Sequence, residues 1–356
     1  MSYQIFEYNR SFSLESGAEL PGYQLAFTTH GKLNSKGDNA VWIFHALTAN
    51  SDPAEWWPGL VGEGKLFDPS QYFIVCVNMP GSCYGSTGPL SINPLNHEPY
   101  FHQFPFFTTR DMVRAYQPLR TYLGIQRIRI GAGGSMGGQQ LLEWAIIEPE
   151  LFEFIFPIAT NAQHSPWAIA FNESQRMSIE ADASWKQNIP EAGMAGMKAA
   201  RATALISYRH YNTYLHAQPR SETFPFEGWG GASSYQRYQG EKLARRFNAF
   251  SYYVLSQGMD SHNVGRHRGG MEKALSMIRA KTLVIGIESD ILFPLVEQKF
   301  LASNIAGASF ITIGSEYGHD GFLLEYEPIT LLIRDFLIKQ EKTKLQLETA
   351  KAYGNT

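Results

Sequence analysis

The stretch IRIGAGGSMGGQQLLEWA, residues 128–145, decides the fold through its order of residue types. An apolar, β-branched run from Ile125 to Ile130 passes through glycines to Ser135, and a helix-compatible segment opens at Met136. Gly133-Gly134-Ser135-Met136-Gly137 satisfies G-x-S-x-G in the strand-to-helix context that a nucleophile elbow demands. Such a turn is tight enough that only small neighbours fit, and it leaves the serine Oγ standing clear of the sheet. The helix N-terminus then offers the Met136 N–H as an oxyanion donor. A competing reading is a glycine-rich turn that binds a phosphate. Against it, Met136 stands where a dinucleotide fingerprint needs its third glycine, and no Walker lysine follows.

Working outward, further short apolar runs stand before Gly, Asn or Asp: Ala40 to Phe44, Tyr72 to Val77, Phe152 to Ile158, Thr282 to Ile287 and Ser309 to Ile313. They read as strands of a buried, largely parallel sheet. Helix-compatible segments alternate with them: Asp111 to Leu123, Met136 to Ile147 and Gly321 to Gln340. The alternation predicts an α/β layered fold with right-handed crossovers. From about His164 to about Ile278 the strand rhythm stops and the text turns helical and polar-aromatic, as in YQRYQGEKLARRFNAFSYYVL. The expected organisation is a core of residues 1–163 and 276–356 with a helical lid insertion, 164–275, placed over strand ends. The polar tail from Lys339 onward reads as a frayed helix end.

A serine nucleophile needs a base, and on an elbow of this kind the order is Ser, then an acid after a later strand, then His. Of ten histidines only His319 lies beyond the strand-like run at 282–287, so it takes the last position. The acid is Asp290, directly after that run in LVIGIESDILFP; Glu288, closer to the strand, is its rival. A solvated loop histidine is the plain alternative for His319, disfavoured by its place between strand and helix and by flanking Gly318 and Gly321. The second oxyanion donor is expected from the loop after an early strand, which points to the N–H of Leu47 or a neighbour in WIFHALTAN. His45, at the end of that strand, reads as a buried hydrogen-bonded residue rather than the base.

Composition excludes several other classes. With 30 Lys plus Arg against 33 Asp plus Glu, the net charge of −3 argues against a broad nucleic-acid surface. Charged residues are 18% and hydrophobic ones 44% of 356 residues, which suits a large buried core. Cys76 and Cys83 are the only cysteines and lack metal-site spacing, so no zinc site or disulfide framework is expected. Neither a signal peptide nor an apolar run of spanning length is found, and a cytoplasmic protein with no membrane partner is the expectation.

Six segments together resemble the homoserine O-acetyltransferase family, α/β-hydrolase-fold enzymes that acylate homoserine on the way to methionine. They are HALTAN at 45–50, GSCYGSTGP at 81–89, FPFFTTRDMV at 104–113, GGSMGGQQLLEWA at 133–145, SDILFP at 289–294 and GHDGFL at 318–323. The resemblance implies an α/β-hydrolase fold, a mostly parallel sheet with helices on both faces and a helical lid. It also implies a Ser135, Asp290, His319 triad. ARATALISYR resembles the family segment whose Arg and Tyr hold the amino-acid substrate, here Arg201 and Tyr208, and Asp320 matches the residue that receives the substrate ammonium. A spacing of seven sets Arg201 and Tyr208 on one helical face, and a guanidinium offers a two-donor fork to a carboxylate. Acetyl-CoA and homoserine are the implied substrates, with no tightly bound cofactor and a homodimer as the assembly. Succinyl transfer, serine as acceptor, and a carboxylester or thioester hydrolase remain as alternatives. The chain departs from the family at Gln139 and Gln140, where Met is common, at Asp182-Ala183-Ser184-Trp185, where a DP-x-W pattern is usual, and in a short EGWGGASSYQRYQG segment.

Overall fold

The apolar runs form the centre of one eight-stranded sheet in the computed structural model, which describes residues 3–218 and 231–353. Its order is β1 (Gln4–Tyr8), β4 (Tyr23–His30), β6 (Phe73–Val77), β5 (Ala40–Phe44), β7 (Ile128–Gly134), β8 (Phe152–Ile158), β9 (Lys281–Ile287) and β10 (Ser309–Ile313). Strands β5 to β10 run parallel, whereas β1 and β4 add an antiparallel edge beside β6. A separate ribbon pairs β2 (Phe12–Ser13) with β3 (Glu19–Leu20). All five side chains of β5 are buried because both faces of the sheet are covered.

Strand alternation divides the core into two layers. Trp42 and Phe44 point to the face covered by α2 (Thr109–Tyr122) and α3 (Met136–Ile147), where Trp42 meets Trp144 edge to face at 4.8 Å. Val41 and Ile43 belong to the opposite layer, which takes Trp57 after α1 (Pro53–Trp56), Phe322 of α11 (Gly321–Leu324), and Ile329, Ile333 and Phe336 of α12 (Tyr326–Tyr353). α10 (Leu295–Asn304) contributes Leu301 to the first layer. α3 is buried on every side from Met136 to Ile146, and its polar residues are paired inside: Gln140 accepts from Tyr116 Oη, Gln139 donates to Asn161 Oδ1, and Glu143 meets Arg110 and Arg268.

Between β8 and β9 the described residues form six helices and no strand: α4 (Pro166–Glu180), α5 (Met194–Tyr208), α6 (Tyr211–Ala217), α7 (Gly231–Ala244), α8 (Ala249–Asp260) and α9 (Met271–Leu275). Local capping sets their starts: Ser165 accepts the Ala168 N–H at α4, and Asn248 accepts the Ser251 N–H at α8. Asp182 closes the turn after α4 by accepting from the Ser184 N–H, the Ser184 hydroxyl and the Gly196 N–H. Tyr252 of α8 is fully buried and donates to Gln175 Oε1, so it packs inward, while Tyr253 bonds Glu180 at the surface.

Several expected boundaries shift. β7 runs to Gly134, four residues beyond the expected Ile130, because its glycines lie inside the strand rather than ending it. α2 begins at Thr109, ahead of Asp111, since Thr108 and Asp111 form a capping box. The helix expected over 321–340 breaks at Glu325 and then continues to Tyr353. Of the EGWGGASSYQRYQG segment, 227–230 lie outside the described residues and the rest opens α7.

Candidate active site

Ser135 stands at the junction of β7 and α3 with φ 56° and ψ −129°, a region that costs a non-glycine residue on the order of 1–3 kcal/mol. The surrounding backbone holds it there. Its N–H donates to Ile158 O at 3.1 Å, and its carbonyl accepts from Thr160 Oγ1 at 2.8 Å and Gln139 N at 3.2 Å. Glycine is required next door: a Cβ on Gly137 would lie 2.1 Å from Phe44 O, and one on Gly133 would lie 2.7 Å from the Gly137 carbonyl. The end of β5 therefore packs directly on the first turn of α3, which brings the loop carrying Leu47 to the elbow.

His319 sits in a 3-10 turn after β10, and its Nδ1 lies 2.6 Å from Asp290 Oδ2. Both residues are buried. The other Asp290 oxygen accepts the Leu292 and Phe293 N–H groups at 2.8 and 2.9 Å, which fixes the carboxylate in the loop after β9. Phe293 stacks on the imidazole at 5.0 Å between centroids. Glu288, the rival acid, is exposed and accepts from Thr312 Oγ1 at 3.1 Å. His45 is fully buried between Ala46 O and the Met79 N–H, and burial depresses its pKa to about 4.

A cavity of about 290 Å³ is lined by Ser135, His319, Leu47, Arg201, Tyr208 and Asp320, together with Thr48, Glu55, Trp56, Arg246 and Phe322. Met136, buried and next in the chain after Ser135, begins α3. The residues read from the sequence are thus brought to one place. The Arg201 guanidinium lies over the Tyr208 ring at 5.5 Å and makes no ion pair with a described residue. Asp320 faces Arg209 Nε at 3.2 Å; burial raises its carboxyl pKa, against the lowering pull of Arg209, Arg201 and His319. Burial likewise raises the Tyr208 phenol, opposed by Arg201.

Sequence reasoning missed Arg209, Arg246 and Trp56. Arg209 directly follows Tyr208, yet nothing in that adjacency reveals that the chain turns at α5's end to meet Asp320. Arg246 lies in KLARRF at 242–247, and its Nη1 donates to Thr48 O at 2.5 Å and Tyr84 Oη at 2.6 Å. Among the described residues no cluster of three His, Cys, Asp or Glu could hold a metal, and no helix is long and apolar enough to cross a membrane. Both cysteines are free thiols.

A family model described as alpha/beta hydrolase fold matches residues 39–326. A homoserine O-acetyltransferase of Cyclobacterium marinum is 50% identical over 339 residues, covering 95% of this chain and 96% of that protein. The crystal structure of homoserine O-acetyltransferase from Bacillus anthracis superposes with a TM-score of 0.86 at 24% identity, over 94% of this chain and 97% of the other. That of esterase E22 superposes with a TM-score of 0.85 at 22% identity, over 94% and 99%, a likeness of fold alone. With half of the aligned residues identical to an acetyltransferase over nearly the full length of both chains, and a fold model matched over 39–326, this chain belongs to the homoserine O-acetyltransferase family of α/β-hydrolase-fold enzymes.

Proposed function

We propose that the protein transfers an acetyl group from acetyl-CoA to the γ-hydroxyl of homoserine through a covalent Ser135 intermediate. The observation that carries this reading is the single cavity in which Ser135 and His319 meet Arg201, Tyr208 and Asp320. A simple esterase has no use for a cation and a carboxylate set to clamp a zwitterion.

In the first half-reaction His319, oriented by Asp290, takes the Ser135 proton as Oγ attacks the thioester carbonyl. The oxyanion rests on the N–H groups of Met136 and Leu47. Collapse of the intermediate expels the thiolate, which leaves with the proton from His319, and an acetyl ester remains on Ser135. Homoserine then binds with its carboxylate on Arg201 and its ammonium on Asp320, beside the Tyr208 ring. His319 removes the γ-hydroxyl proton, the oxygen attacks the ester, and Ser135 Oγ recovers that proton. No metal or redox cofactor has a role in this scheme; acetyl-CoA is consumed as a substrate.

Transfer rather than hydrolysis requires that water lose the competition, and the helices over 164–275, read as a lid on the 1–163 and 276–356 core, serve that end. Exposed Ile206, Tyr211 and Leu215 on α5 and α6 support a homodimer joined through this region. A cytoplasmic site of action for methionine synthesis fits the chemistry. The test is to incubate purified protein with acetyl-CoA or succinyl-CoA and homoserine, serine or water while following thiol release. Sustained release, beyond one equivalent per site, that depends on acetyl-CoA and homoserine supports the reading; equal sustained release with water alone would make the protein a thioester hydrolase.

A further inference from the structure

Beside the active-site cavity lies a second crevice of about 220 Å³, between the end of α5, the last turn of α7 and α11. It shares Arg201, Arg246, Asp320 and Leu323 with the first, so the two are continuous. Four cations line it, Arg201, Arg209, Lys242 and Arg246, against one carboxylate, Asp320, which Arg209 already faces. Glu241, next to Lys242, is engaged by Lys198 at 2.7 Å and does not neutralise the group. Such an excess of positive charge is local, since the chain as a whole carries a net −3.

We infer that this crevice binds the phosphates of the acyl donor, with Lys242 and Arg246 as the contacts. The inference rests on the proposed use of an acyl-CoA. A thioester at Ser135 must extend its pantetheine arm out of the first cavity, and the anionic 3′-phospho-ADP end then meets the cations that continue from it. Arg246 suits the role because Thr48 O and Tyr84 Oη hold its guanidinium in place, so little side-chain freedom is lost on binding. Lys242 is exposed and contributes as a mobile point charge.

The test uses the full chain and two acetyl thioesters, acetyl-CoA and the phosphate-free S-acetyl-N-acetylcysteamine. Lys242→Glu should lower the preference for acetyl-CoA, as the ratio of kcat/KM values, by roughly fivefold or more at low salt, with the loss shrinking as salt screens it. Calorimetric titration with 3′,5′-ADP should give binding to the wild type and at least about fivefold weaker binding to Lys242→Glu. An unchanged donor ratio, or equal 3′,5′-ADP binding by both proteins, overturns the assignment. Failure of the acetyltransferase reading looks different: the wild type would release no thiol from either thioester, or would release it equally without homoserine, while the 3′,5′-ADP titration would still report on the crevice.

Discussion

Two walls of one cavity are built in opposite ways. The wall carrying Ser135, His319 and Asp290 is set by backbone: a strained elbow pinned by Ile158, Thr160 and Gln139, and a carboxylate held by two N–H groups of its own loop. The wall carrying Arg201, Tyr208 and Asp320 is set by half-buried side chains, a ring beneath a guanidinium and one ion pair to Arg209. The first is preorganised where bonds change; the second can shift as an amino acid enters. Substitutions should therefore abolish reaction on one wall and redistribute its steps on the other.

The largest effect is expected at Ser135. Ser135→Ala should lower thiol release by roughly 10⁴-fold or more while the fold persists, because only the attacking oxygen is lost. Residual turnover within about tenfold of wild type would remove Ser135 from the chemistry. His319→Ala should be nearly as damaging, Asp290→Asn should misorient the imidazole, and the double variant should add little to the worse single one. Steady-state kinetics of the three decide whether this wall acts as a unit.

Across the cavity, Arg201→Ala should spare acylation of Ser135 and slow transfer to homoserine. Loss of a charge-assisted pair costs on the order of 2–4 kcal/mol, roughly 30-fold to 1000-fold in kcat/KM for homoserine. Arg201→Lys should recover only part, lacking the planar fork. Equal loss in both half-reactions, measured by single-turnover mixing, would merge the two walls into one.

Stability should follow the buried imidazoles of the rigid side. Burial holds His45 at about 4, and His164 and His262 at about 3, all below the ordinary value. The folded state favours their neutral forms, so stability is complete above about pH 6.5 and falls as pH drops, because the unfolded chain takes up protons first. Each group adds up to about 1.4 kcal/mol per pH unit in that window. Denaturant titrations between pH 7 and 5 should display this loss, and a flat profile would contradict it. The smallest effect belongs to Glu288→Gln, which should leave activity near wild type and stability within about 0.5 kcal/mol. A severe loss there would transfer the acid's role from Asp290.

The sequence makes the rigid wall the more readable one. Apolar runs mark β5, β6, β8 and β9 because inner parallel strands are buried on both faces, and β10 reads as a strand from its β-branched and aromatic residues although it is a partly exposed edge. β1 and β4 carry Gln, Glu, Thr and Tyr among their apolar residues and leave no such run, so the antiparallel edge is not apparent. Glycine misleads at β7: Gly131 and Gly134 read as strand breakers, yet they admit Leu141, Phe152 and the Phe322 ring at distances no Cβ would allow. Chain order suffices to single out His319, whereas the pairing of Arg209 with Asp320 joins residues 111 positions apart and follows only from the packing of α5 on the turn after β10.

Intact-protein mass spectrometry after mixing with acetyl-CoA in the absence of homoserine tests the covalent route most directly. One acetyl group should appear on the protein, map to the peptide carrying Ser135, be absent from Ser135→Ala, and discharge when homoserine is added. Thiol release that requires homoserine, with Ser135 never acetylated, would mean direct transfer between the two substrates and would contradict the account.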